Sequence, residues 1–105
     1  MAVRGFFEYR VREGCREDYL HLVAKLRAKR GAAGYVSYSV SESIEQKNRF
    51  VETFLLPSLE EYREREAKLL NDPETAHLMH SLDSLIDGGQ SAKKVWFFTE
   101  LDFLA

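Results

Sequence analysis

The stretch RFVETF, residues 49–54, decides how this chain is read. It alternates as a β-strand does, with Phe50, Glu52 and Phe54 on one side and Val51, Thr53 and then Leu55 on the other. Both sides are apolar, yet a carboxylate stands between two phenylalanines. A sheet with one free face should be polar there. A strand of this kind therefore predicts a sheet covered on both faces, with Glu52 as a polar fixture inside.

Working outward, Pro57 ends that strand, and Ser58 with Glu61 forms a capping-box pattern that predicts a helix. Glu61–Arg65 and Glu64–Lys68 make i, i+4 pairs on its wet side, while Leu59, Tyr62 and Leu69 share the other. Asp72 and Pro73 are an N-cap and first-turn pair that launches a second helix. Its stripe is Leu78, Met79, Leu82, Leu85 and Ile86, and Gly88 and Gly89 end it. KKVWFFTELDF, from Lys93 to Phe103, is the last predicted strand.

Upstream, residues 3–11 alternate Phe7, Tyr9 and Val11 against Arg4, Phe6, Glu8 and Arg10, which predicts the first strand. REGCRED turns the chain into a helix whose stripe is Tyr19, Leu22, Val23 and Leu26. Glu17 and Asp18 at its start and Lys29 and Arg30 at its end suit the helix dipole, and Gly31 and Gly34 stop it. GYVSYSVSES sets Val36, Tyr38 and Val40 against Ser37, Ser39 and Ser41 as the second strand. The polar turn IEQKN joins it to RFVETF as a hairpin.

The order β-α-β-β-α-α-β predicts a single α+β domain over residues 1–105. Its topology is ferredoxin-like, a four-stranded antiparallel sheet with helices on one face. The face away from the helices is then assigned Phe6, Glu8 and Arg10, then Phe50, Glu52 and Phe54, then Trp96, Phe98 and Glu100. Burying such aromatics contributes roughly 1.5–3 kcal/mol each. Left exposed, they mark an interaction surface. A second copy packed over this face closes a barrel-like homodimer. The cavity candidates are Phe6, Glu8, Arg10, Tyr38, Phe50, Glu52, Phe54, Trp96 and Phe98. Arg10 is the expected ion-pair partner of Glu52, because a buried carboxylate needs one.

These residues bring a family into view. The whole chain resembles the dimeric α/β-barrel superfamily of antibiotic-biosynthesis monooxygenases. RFVETFLLPSLEEYRERE resembles the barrel-like C-terminal domain of some major-facilitator exporters, which carry a Trp where Leu59 stands here. EREAKLLNDPE resembles the NIPSNAP-like branch. The resemblance implies a homodimer with a central pocket, and no cofactor is expected. Across the superfamily it also implies a choice between cofactor-free oxygenation of aromatic substrates, haem degradation and roles without chemistry. Fold does not choose among these.

The sequence narrows the choice. Haem-degrading relatives use a histidine ligand with an asparagine and a tryptophan in the pocket. Here His21, His77 and His80 all fall opposite the apolar stripes, and the first strand holds no asparagine. His77 and His80 alone are too few for a structural metal site. Cofactor-free oxygenation of a phenol or quinol needs a base, for which Glu8 or Glu52 would serve, and rings such as Tyr38 and Trp96 to orient the substrate. A non-catalytic binder of a small aromatic or apolar ligand needs only the cavity. An RNA-recognition domain shares the strand order, but NRFVETF lacks its Gly-Phe-Gly pattern, and the net charge of −2 offers nucleic acid no general attraction. Cys15 is the only cysteine, so no internal disulfide forms. With no signal-peptide pattern at the start and no apolar run near the roughly 20 residues of a membrane span, the expected setting is cytoplasmic, without membrane insertion.

Overall fold

The computed structural model describes residues 2–101. Four strands, β1 (Val3–Arg10), β2 (Val36–Glu42), β3 (Arg49–Leu56) and β4 (Lys94–Thr99), form one antiparallel sheet in the order β2-β3-β1-β4. Three helices, α1 (Arg16–Ala32), α2 (Leu59–Asn71) and α3 (Pro73–Ser84), cover one face. α3 packs between α1 and α2. The expected ferredoxin-like α+β architecture is the observed one. Asp102 and Phe103, expected in the last strand, lie outside the described residues.

Local chemistry places each element. Ser58 Oγ accepts from the Glu61 amide at 3.1 Å and starts α2. The Glu61 carboxylate pairs with Arg65 at 2.9 Å. Asp72 accepts from the amide and the hydroxyl of Thr75, and Pro73 opens α3. α1 ends in a Schellman motif. The Tyr35 amide bonds the Arg30 carbonyl, the Gly34 amide bonds the Gly31 carbonyl, and Gly34 takes φ +98°. Gly31 therefore sits inside the last turn, and Gly34 alone stops the helix. That cap fixes the directions in which Arg30 and Tyr35 leave the backbone.

β1 and β3 carry the core. The register sets Gly5 against Phe54, Phe7 against Glu52 and Tyr9 against Phe50. Phe7, Tyr9, Val11, Phe50, Phe54 and Leu56 pack beneath the helices with Tyr19, Val23, Leu26, Leu78, Leu82 and Ile86. Phe50, Glu52 and Phe54 thus lie on the helix face, which corrects the expectation that they face away from it. Strand alternation alone could not decide between Phe50/Phe54 and Val51/Leu55, since both pairs are apolar. The pairing with β1 decides it, and the bulkier aromatics go to the core.

Val36 is also corrected. A bulge between Val36 and Ser39, with Ser37 at φ +52°, puts Val36 opposite Leu55 and leaves it 56% exposed. Tyr38 still turns into the core. The one extra residue moves Val36 to the face opposite Tyr38.

Gly5 is required by its neighbour, because a Cβ there would overlap the Phe54 ring. That ring is stacked between Tyr38 and Tyr62 at centroid distances of 5.7 and 5.9 Å and has little room to yield. Gly5→Ala should lower stability by about 1–3 kcal/mol, the usual cost of overpacking, as read by urea denaturation.

Candidate functional site

The helix face of the sheet holds a buried polar cluster centred on Glu52, which is 1% exposed. β3 delivers Glu52, β1 delivers Tyr9, β2 delivers Tyr38 and α1 delivers Tyr19 and Arg30. Tyr9 donates to Glu52 Oε2 at 2.6 Å and shares a 2.7 Å hydrogen bond with the Tyr19 hydroxyl. Tyr38 donates to Glu52 Oε1 and accepts from Arg30 Nη1 at 3.2 Å. Arg30 Nη1 also lies 3.6 Å from Glu52 Oε1. The other side of the guanidinium grips Glu66 of α2 through Nε at 3.2 Å and Nη2 at 3.1 Å, and Tyr35 donates to Glu66 as well.

One guanidinium therefore serves two carboxylates, and four phenols complete the set. Burial opposes the charge on Arg30, but Tyr38, Glu66 and Glu52 outweigh it and hold its pKa well above the usual value. Burial likewise pushes the tyrosine pKa values up, with Glu52 adding to the effect at Tyr9, Tyr19 and Tyr38. The guanidinium carbon also lies 5.1 Å from the centre of the Phe7 ring.

A cavity of about 10 Å³ adjoins this cluster, between the sheet, α1 and α3. Its polar walls are Glu52, Arg30, Asp83 and Lys93, and its apolar walls Phe7, Leu26, Met79 and Leu82. Lys93 pairs with Asp83 at 3.2 Å and reaches over the Phe7 ring, 5.6 Å from its centre. The charges of the lining are thus paired with one another. The volume is about what one water needs.

The nine sequence candidates divide between two faces. Tyr38, Phe50, Glu52 and Phe54 lie under the helices, while Phe6, Glu8, Arg10, Trp96 and Phe98 lie on or at the rim of the open face. The expected Arg10–Glu52 pair is not made, because the sheet stands between them. Glu52 pairs with Arg30, and Glu8 pairs with Arg49 at 2.7 Å. Arg10 is exposed and faces Arg49 in register. On the open face Phe6 meets Phe98 edge to face at 5.5 Å, and Trp96 and Phe98 are 47% and 53% exposed. His21, His77 and His80 are exposed, away from the cavity. Arg30 and Glu66 were missed. The signal was present, since Arg30 continues the stripe of Tyr19, Val23 and Leu26, and Glu66 stands between Tyr62 and Leu69 on theirs.

Neither a family model nor a curated protein matches the sequence. Solved structures do. SnoaB from Streptomyces nogalater, described as a cofactor-independent oxygenase, superposes with a TM-score of 0.76 at 16% identity, over 98% of this chain and 96% of that one. A NIPSNAP family protein from Agrobacterium tumefaciens gives 0.77 at 23% identity, over 97% and 88%. A protein described as an antibiotic biosynthesis monooxygenase gives 0.76 at 10% identity, over 95% and 99%. The fold is that of the antibiotic-biosynthesis-monooxygenase-like proteins. At these identities the likeness concerns the fold alone. These structures do not bear on the exporter-domain resemblance of RFVETFLLPSLEEYRERE.

Two outcomes follow from the cluster. Arg30→Leu leaves the buried Glu52 and the partly buried Glu66 without their cation and should cost about 3–5 kcal/mol in urea denaturation. The second concerns the five tyrosines, all of which have raised pKa values, chiefly through burial. A raised pKa means that the folded state holds the proton more tightly. The resulting stability is intact below the ordinary tyrosine value of about 10 and is lost as the pH climbs beyond it. Absorbance at 295 nm should show no tyrosine ionising independently near pH 10. All five should instead appear together with loss of the circular dichroism signal at higher pH.

Proposed function

We propose that this protein binds a small, uncharged, largely aromatic molecule between the sheet and its helices, beside Glu52, and does so as a homodimer. The observation that carries the reading is Glu52 itself, a buried carboxylate that already receives two phenol hydroxyls at the edge of a cavity. A site built to meet phenols on a carboxylate suits a ligand hydroxyl in the same place. Because the charges of the lining are paired, a neutral ligand disturbs them least, and Phe7, Leu26, Met79 and Leu82 supply apolar walls. The cavity as it stands holds about one water, so a ligand requires α3 and the segment after it to move outward.

The homodimer is supported by the open sheet face. Phe6, Trp96 and Phe98 stand together there, beside Val51 and Leu55, with Arg4–Glu100 and Arg49–Glu8 ion pairs at the rim. An apolar centre with a polar rim is the pattern of a protein interface. A second copy of the same face satisfies it.

A second reading, cofactor-free oxygenation of a phenol or quinol, is favoured by the same geometry. Glu52 would take the proton of a substrate hydroxyl that replaces Tyr9 or Tyr38 as its donor. Haem degradation has no such support, since no histidine reaches the cavity.

Native mass spectrometry of freshly purified protein, followed by a thermal-shift screen with uncharged phenols and quinols, tests the binding reading. A ligand should be retained or should raise the melting temperature. Glu52→Gln should abolish that effect, as should Leu26→Phe, which fills the cavity but leaves the ion pairs intact. If neither variant alters binding, the site lies elsewhere. Oxygen uptake with a bound quinol, falling by about 10²–10⁴-fold in Glu52→Gln, would favour the oxygenase. For the assembly, sedimentation should give a dimer at micromolar concentration and a folded monomer for Trp96→Glu. A well-folded wild-type monomer would remove the dimer.

A further inference from the structure

We infer that the Lys93–Asp83 ion pair is the latch of a strap that controls entry to the cavity beside Glu52. Lys93 ends a segment that begins at Gly88 and leads into β4. Gly88 and Gly89 have φ of +88° and +75°, and a short 3₁₀ turn spans Gln90–Ala92. The backbone hydrogen bonds of this segment stay local. The Gly89 amide bonds Ile86, Ala92 bonds Gly89, and Lys93 bonds Gln90. On either side the chain is tied to the sheet, at Asp87 to the Arg10 carbonyl and at Lys94 opposite Glu8. Between those two points, among the described residues, the side-chain tie from the strap to the helices is Lys93 to Asp83 of α3.

Both partners of that tie are walls of the cavity, together with Glu52 and Arg30. The pair closes the gap between α3 and the start of β4 over the Phe7 ring. Segments held by local hydrogen bonds and few tertiary contacts open at low free-energy cost, and the Lys93–Asp83 pair, whose side chains are 19% and 20% exposed, is the tie that must break first. Breaking the pair frees the strap to turn about its two glycines and uncovers Phe7, Leu26 and Glu52. A molecule larger than a water then has a route to the carboxylate.

This inference rests on reading the cavity as a ligand site, yet it is tested on protein without ligand. Leu26 lines the cavity and is 1% exposed, so it serves as a reporter of opening. In a Cys15→Ser, Leu26→Cys background, the rate of modification by methyl methanethiosulfonate, followed by mass spectrometry, measures access. Lys93→Met and Asp83→Asn should each raise that rate about fivefold. Exchanging the charges, Asp83→Lys with Lys93→Asp, should return it to the slow value. Glu42→Gln, which breaks the remote Arg16–Glu42 pair, should leave it unchanged. Urea denaturation of every variant separates opening from global unfolding. Rates within twofold of the parent in both latch variants would overturn the inference. So would an increase no larger than the increase in the global unfolding constant. Faster labelling in protein that binds none of the screened phenols would uphold the strap and refute the binding reading. Unchanged labelling in protein whose ligand is lost in Glu52→Gln would do the reverse.

Discussion

Arg30 is the residue on which α1, α2 and the sheet converge. It leaves the last turn of α1, meets Glu52 on the central strand β3 and grips Glu66 on α2. A buried guanidinium is costly unless its donors are used, and here Tyr38, Glu52 and Glu66 use them. The constraint runs in both directions. The carboxylates need the cation, and the cation needs its position, which the cap at Gly34 and Tyr35 provides. The helix terminus, the sheet register and the packing of α2 therefore meet at one side chain.

Most of the fold was legible because local chemistry and periodicity agreed. The caps at Ser58 and Asp72, the alternation of β1 and the stripes of α1 and α3 each pointed to the element that forms. What was not legible was the face of β3. Phe50/Phe54 and Val51/Leu55 are both apolar, so alternation leaves open which pair turns towards the helices. Choosing the wrong face moved Glu52 across the sheet and gave it Arg10 in place of Arg30. The information lay in tertiary register, where Gly5 makes room for the Phe54 ring, and a single strand does not display that. Arg30 escaped notice for a related reason. A basic residue in the last turn of a helix is ordinarily explained by the dipole, and that sufficient explanation hid its place on the buried stripe.

The division of the candidates across two faces has a chemical meaning. The helix face combines phenols, carboxylates and a guanidinium in a buried interior, where each hydrogen bond carries more electrostatic weight than in water. The open face combines exposed aromatics with rim ion pairs, suited to contact over an area and not to a single group. The sheet separates the two while its backbone links them, since Phe6 and Phe7 are neighbours in β1 and face opposite ways.

The bulge in β2 bears on which part of the sheet another strand could pair with. β2 is the free edge of the sheet beside β3, and an unbroken edge strand would offer its amides and carbonyls to any strand of another molecule. The extra residue at Ser37–Tyr38, with a left-handed backbone at Ser37, bends that edge and breaks the regular spacing of its unpaired groups. Endless growth of the sheet from chain to chain is thereby discouraged. In the proposed homodimer association falls to the exposed aromatic surface of Phe6, Trp96 and Phe98, which one partner can cover and which then has nothing further to offer.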